Sequence, residues 1–227
     1  MGRDSGGRVV PAIHGRKPLV PEPEHEVGLA AELRAKYGPA GLVELYGRFS
    51  LGDGVLDTLM RRVLFRALAK SVGHGLQVGS GVGFKHLETF EIGDNVFLGA
   101  GAYLQGRYDG RCVIGSRVWI GPQAYLDARD LIIGDDVGWA PCAKVLGSSH
   151  SGEPGGVPVI QTDLVIKPVR VLAWADLGIG STLLPGVTVG KGAIVGAGAL
   201  VVDDVPDNAI VAGVPAKILR YREEAAR

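Results

Sequence analysis

Cysteine is scarce in this chain: there are two in 227 residues, Cys112 and Cys142, and neither belongs to a Cys-x-x-Cys pair. That count excludes a disulfide framework and a thiolate zinc site, and reduced thiols in a cytoplasm fit best. Net charge is lacking as well, since 24 Lys and Arg balance 24 Asp and Glu. No whole-chain field therefore exists to gather nucleic acid. No apolar run approaches the roughly 20 residues of a membrane span, and the amino terminus has no signal-peptide core. These absences predict a soluble, cytoplasmic protein with no integral membrane segment and no nucleic-acid partner.

What is present is glycine at fixed offsets and 46% hydrophobic residues. In Ile92-Gly93-Asp94-Asn95-Val96-Phe97 and Leu98-Gly99-Ala100-Gly101-Ala102-Tyr103 an aliphatic residue is followed by Gly, and a small residue returns four places later. The pattern recurs at Ile114-Gly115, Ile120-Gly121, Ile133-Gly134, Leu177-Gly178, Val189-Gly190 and Val195-Gly196. A period of six is neither the 3.6 of a helix nor the 2 of a simple strand. It is the period of a parallel β-helix, an all-β solenoid in which each hexapeptide builds one short face. Inward positions are expected at 92, 98, 104, 114, 120, 126, 133, 139, 145, 171, 177, 183, 189, 195 and 201. Trp139 takes one of these slots, and three hexapeptides close one turn.

The spacing predicts four segments. Residues 1–25 are polar and proline-bearing, and read as a flexible tail or an extended arm on a neighbour. Residues 26–74 form a helical extension, whose second apolar stripe carries Arg61, Arg62, Arg66 and Lys70. These cations suit either an anionic surface or, the favoured reading, a solvated face. The β-helix occupies 75–205, and 206–227 is a carboxy-terminal segment ending in a short helix. Two phase breaks locate loops, one over Gln105–Gly110 and a long insertion at 147–168. A long loop leaving a rigid solenoid is usually functional.

Three motifs carry a resemblance: Leu184-Pro185-Gly186-Val187-Thr188-Val189-Gly190, Ile194-Val195-Gly196-Ala197-Gly198-Ala199, and Ile210-Val211-Ala212-Gly213-Val214-Pro215-Ala216-Lys217. Over roughly residues 75–220 the chain resembles the hexapeptide-repeat acyltransferases, in the maltose, galactoside and polysaccharide O-acetyltransferase branch. The resemblance implies a left-handed coil, a homotrimer with active sites at subunit interfaces, and acetyl-CoA as acyl donor with no metal. In that family a His opens the loop leaving the β-helix, which matches His150 here. A neutral imidazole, with a pKa near 6.5, is suited to take the acceptor's proton and return it to the departing thiolate. Either Glu153 or a backbone carbonyl orients the ring.

For the donor, the resemblance implies a groove along the carboxy-terminal turns. There Gly180, Ala197 and Gly198 permit close backbone approach, and Lys217 and Arg220 meet the nucleotide phosphates or serve as surface charges. For the acceptor, Asp127 on the turn before His150 is the first candidate, with Tyr108 and Asp109 in the shorter loop. The chain departs from the family at Asp176, where many members have Trp, and at Ile179, where some have Ser. The function implied is acetyl transfer to the hydroxyl of a sugar, polysaccharide precursor or other hydroxylated small molecule. N-acetylation of an amine and a non-catalytic scaffold are the alternatives. A zinc hydratase on the same fold needs three His ligands, and the repeat holds only His86 and His150.

Overall fold

The computed structural model describes residues 7–8 and 10–223. Three helices, α1 (Glu24–Lys36), α2 (Pro39–Phe49) and α3 (Val55–Leu68), precede a coil of short parallel strands. The strands line up in three sheets, here faces 1, 2 and 3 in chain order, which wind a left-handed parallel β-helix. Turn 1 consists of Ser71–Val72, Gln77–Val78 and Gly83–Lys85, so the coil begins a few residues before the expected position 75. Turn 6 consists of Thr188–Val189, Ile194–Val195 and Leu200–Val201, and a partial seventh follows through Val205 and Ala209–Ala212.

The six-residue rhythm has a direct physical cause. Each aliphatic slot from Ile92 to Val201 points inward and is at most 3% exposed, Trp139 included. Slots stack on slots: Ile92 pairs with Ile114, Ile114 with Ile133, Ile133 with Val171, and Val171 with Val189. The next residue is Gly because neighbouring turns lie about 4.8 Å apart. A Cβ on Gly178 would stand 2.6 Å from the Ala197 nitrogen of the following turn. Two residues further on, the corner needs a left-handed backbone, as at Cys142 (φ 58°) and Gly180 (φ 67°).

The helices cap the amino-terminal end of the coil, and the basic stripe on α3 is spent in holding them there. Arg61 is buried and donates to the carbonyls of Val78, Phe49 and Gly52. Arg62 pairs with Glu26 at 2.7 Å, and Lys70 with Glu91 at 2.9 Å. Arg66 donates to the carbonyls of Val72 and Gly73 and lies 3.3 Å from Glu22. The solvated face expected for this stripe is thus corrected for Arg61, Arg62 and Arg66, whose charges meet carbonyls and carboxylates of the same chain, whereas Lys70 stays exposed beyond the end of α3. The described part of the amino-terminal tail lies along the coil, with Asn95 Nδ2 donating to the Lys17 carbonyl and His14 against Phe97 and Trp119.

The expected carboxy-terminal helix is also corrected. Lys217–Tyr221 is a strand, antiparallel to Ala209–Ala212. The last strand of face 2 would otherwise leave a row of unpaired backbone groups, and folding back satisfies them.

Candidate active site

The long insertion is a hairpin, Ser148–His150 antiparallel to Leu164–Ile166, and it leaves the coil at the corner between faces 3 and 1. His150 Nδ1 lies 2.9 Å from the carbonyl oxygen of Thr162. A carbonyl only accepts, so Nδ1 carries the proton and Nε2 presents a lone pair. Thr162 is itself fixed: it is buried, its Oγ1 donates to Val159 O at 2.7 Å, and it accepts from Gly152 N–H at 3.2 Å. Of the two partners considered for His150, the backbone carbonyl is the one present. Glu153 is exposed, and its carboxylate makes no hydrogen bond or ion pair among the described residues.

The root of the hairpin is pinned to turn 3. Gly147 N–H donates to Asp127 O at 2.7 Å, and a Cβ on Gly147 would stand 2.7 Å from Ala128 Cα. Arg129, a residue the sequence reading missed, donates from Nη1 to Ser148 Oγ and lies 3.4 Å from Asp127 Oδ1. Asp127 Oδ1 is buried and accepts no hydrogen bond among the described residues. The shorter loop leaves the same corner two turns earlier. There Arg107 donates to Asp109 at 2.6 Å and stacks over Tyr108, and His86 meets the Tyr108 ring edge-on at 6.2 Å. His86, Tyr108, Asp109, Asp127, Arg129 and His150 therefore occupy one edge of the solenoid on consecutive turns.

Gly180, Ala197 and Gly198 occupy a different edge, the corner between faces 2 and 3 on turns 5 and 6. Equivalent positions down this corner are fixed by equivalent hydrogen bonds: Cys142 N–H to Pro122 O, Gly180 N–H to Pro141 O, and Gly198 N–H to Ile179 O. The residues accepting those bonds are Pro122, Pro141 and Ile179, followed on turn 6 by Ala197. The prolines have no N–H to offer, and the N–H groups of Ile179 and Ala197 donate to nothing among the described residues. The space where Cβ atoms of Gly180 and Gly198 would project is open. Lys217 and Arg220 are exposed on the final strand, Lys217 beside Ala212 and Arg220 beside Ile210 on face 2.

Asp176, the departure noted from the family pattern, sits on the outer side of face 2 next to this corner. Crowding on one side holds its carboxyl above the ordinary aspartate range, although its rim is open to solvent. Among the described residues no group of three or more His, Cys, Asp or Glu is placed to hold a metal ion, and no helix is long and apolar enough to cross a membrane.

No protein-family model matches the chain. An acetyltransferase of Schizosaccharomyces pombe is 35% identical over 107 residues, which is 44% of this chain and 47% of that protein. The chain spans about half the length of the curated relatives it matches. Among solved structures, the N-acyltransferase AntD of Bacillus cereus, in complex with dTDP-4-amino-4,6-dideoxyglucose and coenzyme A, superposes with a TM-score of 0.64 at 22% identity. That match covers 72% of this chain and 90% of AntD. A maltose O-acetyltransferase of Clostridium difficile gives a TM-score of 0.51 at 23% identity, over 85% of this chain and 90% of that one. The fold of this chain is the β-helix of the hexapeptide-repeat acyltransferases.

Proposed function

We propose that the protein transfers the acyl group of acetyl-CoA to a hydroxyl or amine of a saccharide-type small molecule, with His150 as general base. The observation that carries this reading is the His150–Thr162 hydrogen bond, which leaves Nε2 bare on a hairpin at the edge of the coil. The acceptor's X–H proton passes to Nε2 as X attacks the thioester carbonyl. The C–S bond then breaks, and the proton returns from Nε2 to the thiolate sulfur. No acyl-enzyme is required. Asp127, paired with Arg129 beside the hairpin root, is the residue assigned to the acceptor.

The corner between faces 2 and 3 fits the donor. Two uncommitted N–H groups one turn apart, at Ile179 and Ala197, match the spaced carbonyls of a pantetheine arm. The open ground at Gly180 and Gly198 admits its approach. Lys217 and Arg220 supply cations for its phosphates. Within one chain this corner and the His150 corner lie on opposite edges of face 3, which supports a homotrimer in which one subunit's hairpin meets its neighbour's corner. Both N- and O-acyltransferases share the fold, and Nε2 serves either acceptor.

The test is calorimetric titration of acetyl-CoA, followed by transfer assays on paired alcohol and amine acceptors. Binding on the order of micromolar is expected. His150→Ala is expected to lose about 10²- to 10⁴-fold in kcat while still binding acetyl-CoA. A full rate in that variant, or no acyl-CoA binding by the parent protein, overturns the reading.

A further inference from the structure

The helical cap carries an apolar knob and an apolar cavity at opposite ends of α2. The knob is the connection from α2 to α3, where Leu51, Val55 and Leu56 are 79%, 90% and 59% exposed. Exposed aliphatic residues scattered singly are ordinary, but these three fall within one short turn. That turn is held rigidly against the coil. Gly81 N–H donates to Ser50 O at 2.6 Å, and Arg61 donates to the carbonyls of Phe49 and Gly52. A Cβ on Gly81 would touch Leu51 Cδ2 at 3.8 Å. Gly81 is the turn 1 residue of the corner between faces 2 and 3, so the knob crowns the edge on which Ile179 and Ala197 lie.

The cavity, of about 540 Å³, opens at the other end of α2. Tyr37, Pro39, Leu42, Leu68 and Ala69 line it, and Glu88 borders it from turn 1 at the corner between faces 3 and 1. The charged side chains of its rim are engaged within the chain. Arg34 donates to the carbonyls of Ala67 and Ala69, Lys70 pairs with Glu91, and Glu88 lies 2.9 Å from His86. With the rim charges spent, the cavity suits an aliphatic occupant. The knob of the same chain cannot supply it, because α2 has 11 residues and holds the two about 16 Å apart.

We propose that the cavity receives Leu51, Val55 and Leu56 of a second copy of this chain. A patch and a pocket at different places on one molecule make a heterologous contact, which closes into a ring only when the operation is a pure rotation. With the ring axis along the coil, patch and pocket must then lie at the same height. Both lie at turn 1, on the two edges that flank face 3. Those are the edges that acyl transfer between subunits brings together, and the contact rests on that reading of the assembly. It gives the helical extension a role there: it fixes the height at which one copy's hairpin meets its neighbour's donor corner.

Cysteine cross-linking of the full-length chain tests the contact. Val55→Cys and Tyr37→Cys are made singly and together and treated with a short bismaleimide, and sedimentation gives the oligomeric state of each. The double variant is expected to form covalent dimers and trimers that neither single variant forms. A second variant, Leu51→Asp with Val55→Asp, changes side chains that a single chain leaves in solvent. It is expected to dissociate, in a dilution series with mild urea, at a concentration at least about tenfold above the parent's. A trimeric parent whose double-cysteine variant links no better than the single ones, or whose aspartate variant dissociates where the parent does, overturns the contact and leaves the acyl-transfer assembly standing. A monomeric parent overturns both. Equal binding of an anilinonaphthalene sulfonate dye by the parent trimer and the aspartate variant would give the cavity to a small apolar ligand and overturn the contact.

Discussion

The donor corner can be tested without disturbing the coil, because the coil already shows which residue to use. Proline stands at positions 122 and 141, the same corner position on turns 3 and 4 that Ile179 and Ala197 hold on turns 5 and 6. The hypothetical Cβ of Gly121 lies 2.6 Å from Pro141 N, and that of Gly178 lies 2.6 Å from Ala197 N, so the backbone paths are equivalent. In Ile179→Pro and Ala197→Pro, Gly178 and Gly196 would precede the new ring, and glycine accepts the restriction that proline imposes on its predecessor. Each substitution removes one N–H that no carbonyl uses. Stability should hold or rise by about 0.4–1 kcal/mol per site, since proline restricts the unfolded chain. A net hydrogen bond contributes about 1 kcal/mol, so losing one weakens acetyl-CoA binding about fivefold and losing both about 30-fold. Calorimetric titration beside thermal unfolding reads both quantities. Unchanged affinity in a stable double variant would refute the assignment of these amides to the donor.

Three further outcomes follow from the same geometry. Arg61→Met leaves the buried carbonyl of Val78 and the half-buried carbonyls of Phe49 and Gly52 without their donor, a cost of about 3 kcal/mol. Thermal unfolding should then fall by about 6–12 °C, and a shift under 2 °C would contradict that role. Burial alone would raise the Glu22 carboxyl, but hydrogen bonds from its own backbone, His74 and Gly75, together with the Arg66 charge, outweigh it and leave the pKa below 4.5. Its contribution is therefore present above the ordinary glutamate range and lost as pH falls through the depressed value. Glu22→Gln should flatten the acid limb of a stability-versus-pH series, and an unaltered limb would count against it. Asp176 has the opposite sign: its pKa is raised above 3.8, so the folded state holds the proton longer and stability falls as pH rises through that window. Asp176→Asn should accordingly raise the melting temperature at pH 7, and a fall would show that a partner stabilises the ionised form.

The core was legible because a six-residue period is a local signal. Slots 92 to 201 could be numbered from the sequence, and the tight stacking that demands Gly178 acts on the residue next to the slot. The family resemblance pointed to His150, and the structure sets that residue at the root of the hairpin. Its partner was not legible, because Thr162 contributes a carbonyl, and a carbonyl belongs to every residue alike. Arg129 escaped for a related reason: its partners Asp127 and Ser148 meet only once turn 3 and the hairpin root are stacked. The α3 cations were misread because Glu22 and Glu26, which absorb two of them, lie more than 30 residues away in the chain. The final strand was read as a helix because the need to cover an edge of face 2 is a property of the completed sheet.

One signal was present and unread. After every third slot the glycine is missing: Lys85, Gln105, Asp127, Leu146, Leu184 and Val202 stand where the other two corners favour Gly. Four of these residues extend the face 3 strands in register, Lys85 with Gln105 and both Gln105 and Leu146 with Asp127, and this corner is where both loops leave the coil. The other corners divide differently. Between faces 1 and 2 the turn amides are capped by side chains of the following turn, His74 N–H by Asp94, Asp94 N–H by Ser116, Ser116 N–H by Asp135 and Lys191 N–H by Asp207. Four of the six equivalent amides on that edge are capped in this way, and those of Asp135 and Ala173 are not among the described residues. Between faces 2 and 3 no such caps exist at Ile179 and Ala197, whose amides stay uncommitted among the described residues. The three edges thus differ: one largely capped by side chains, one with amides uncommitted at Ile179 and Ala197, and one that carries the loops. In the acyl-transfer reading proposed above, the donor takes the second and His150 the third. Because they border opposite sides of face 3, that reading requires a neighbouring copy to join them, and a chain that stays monomeric yet transfers acyl groups would refute it.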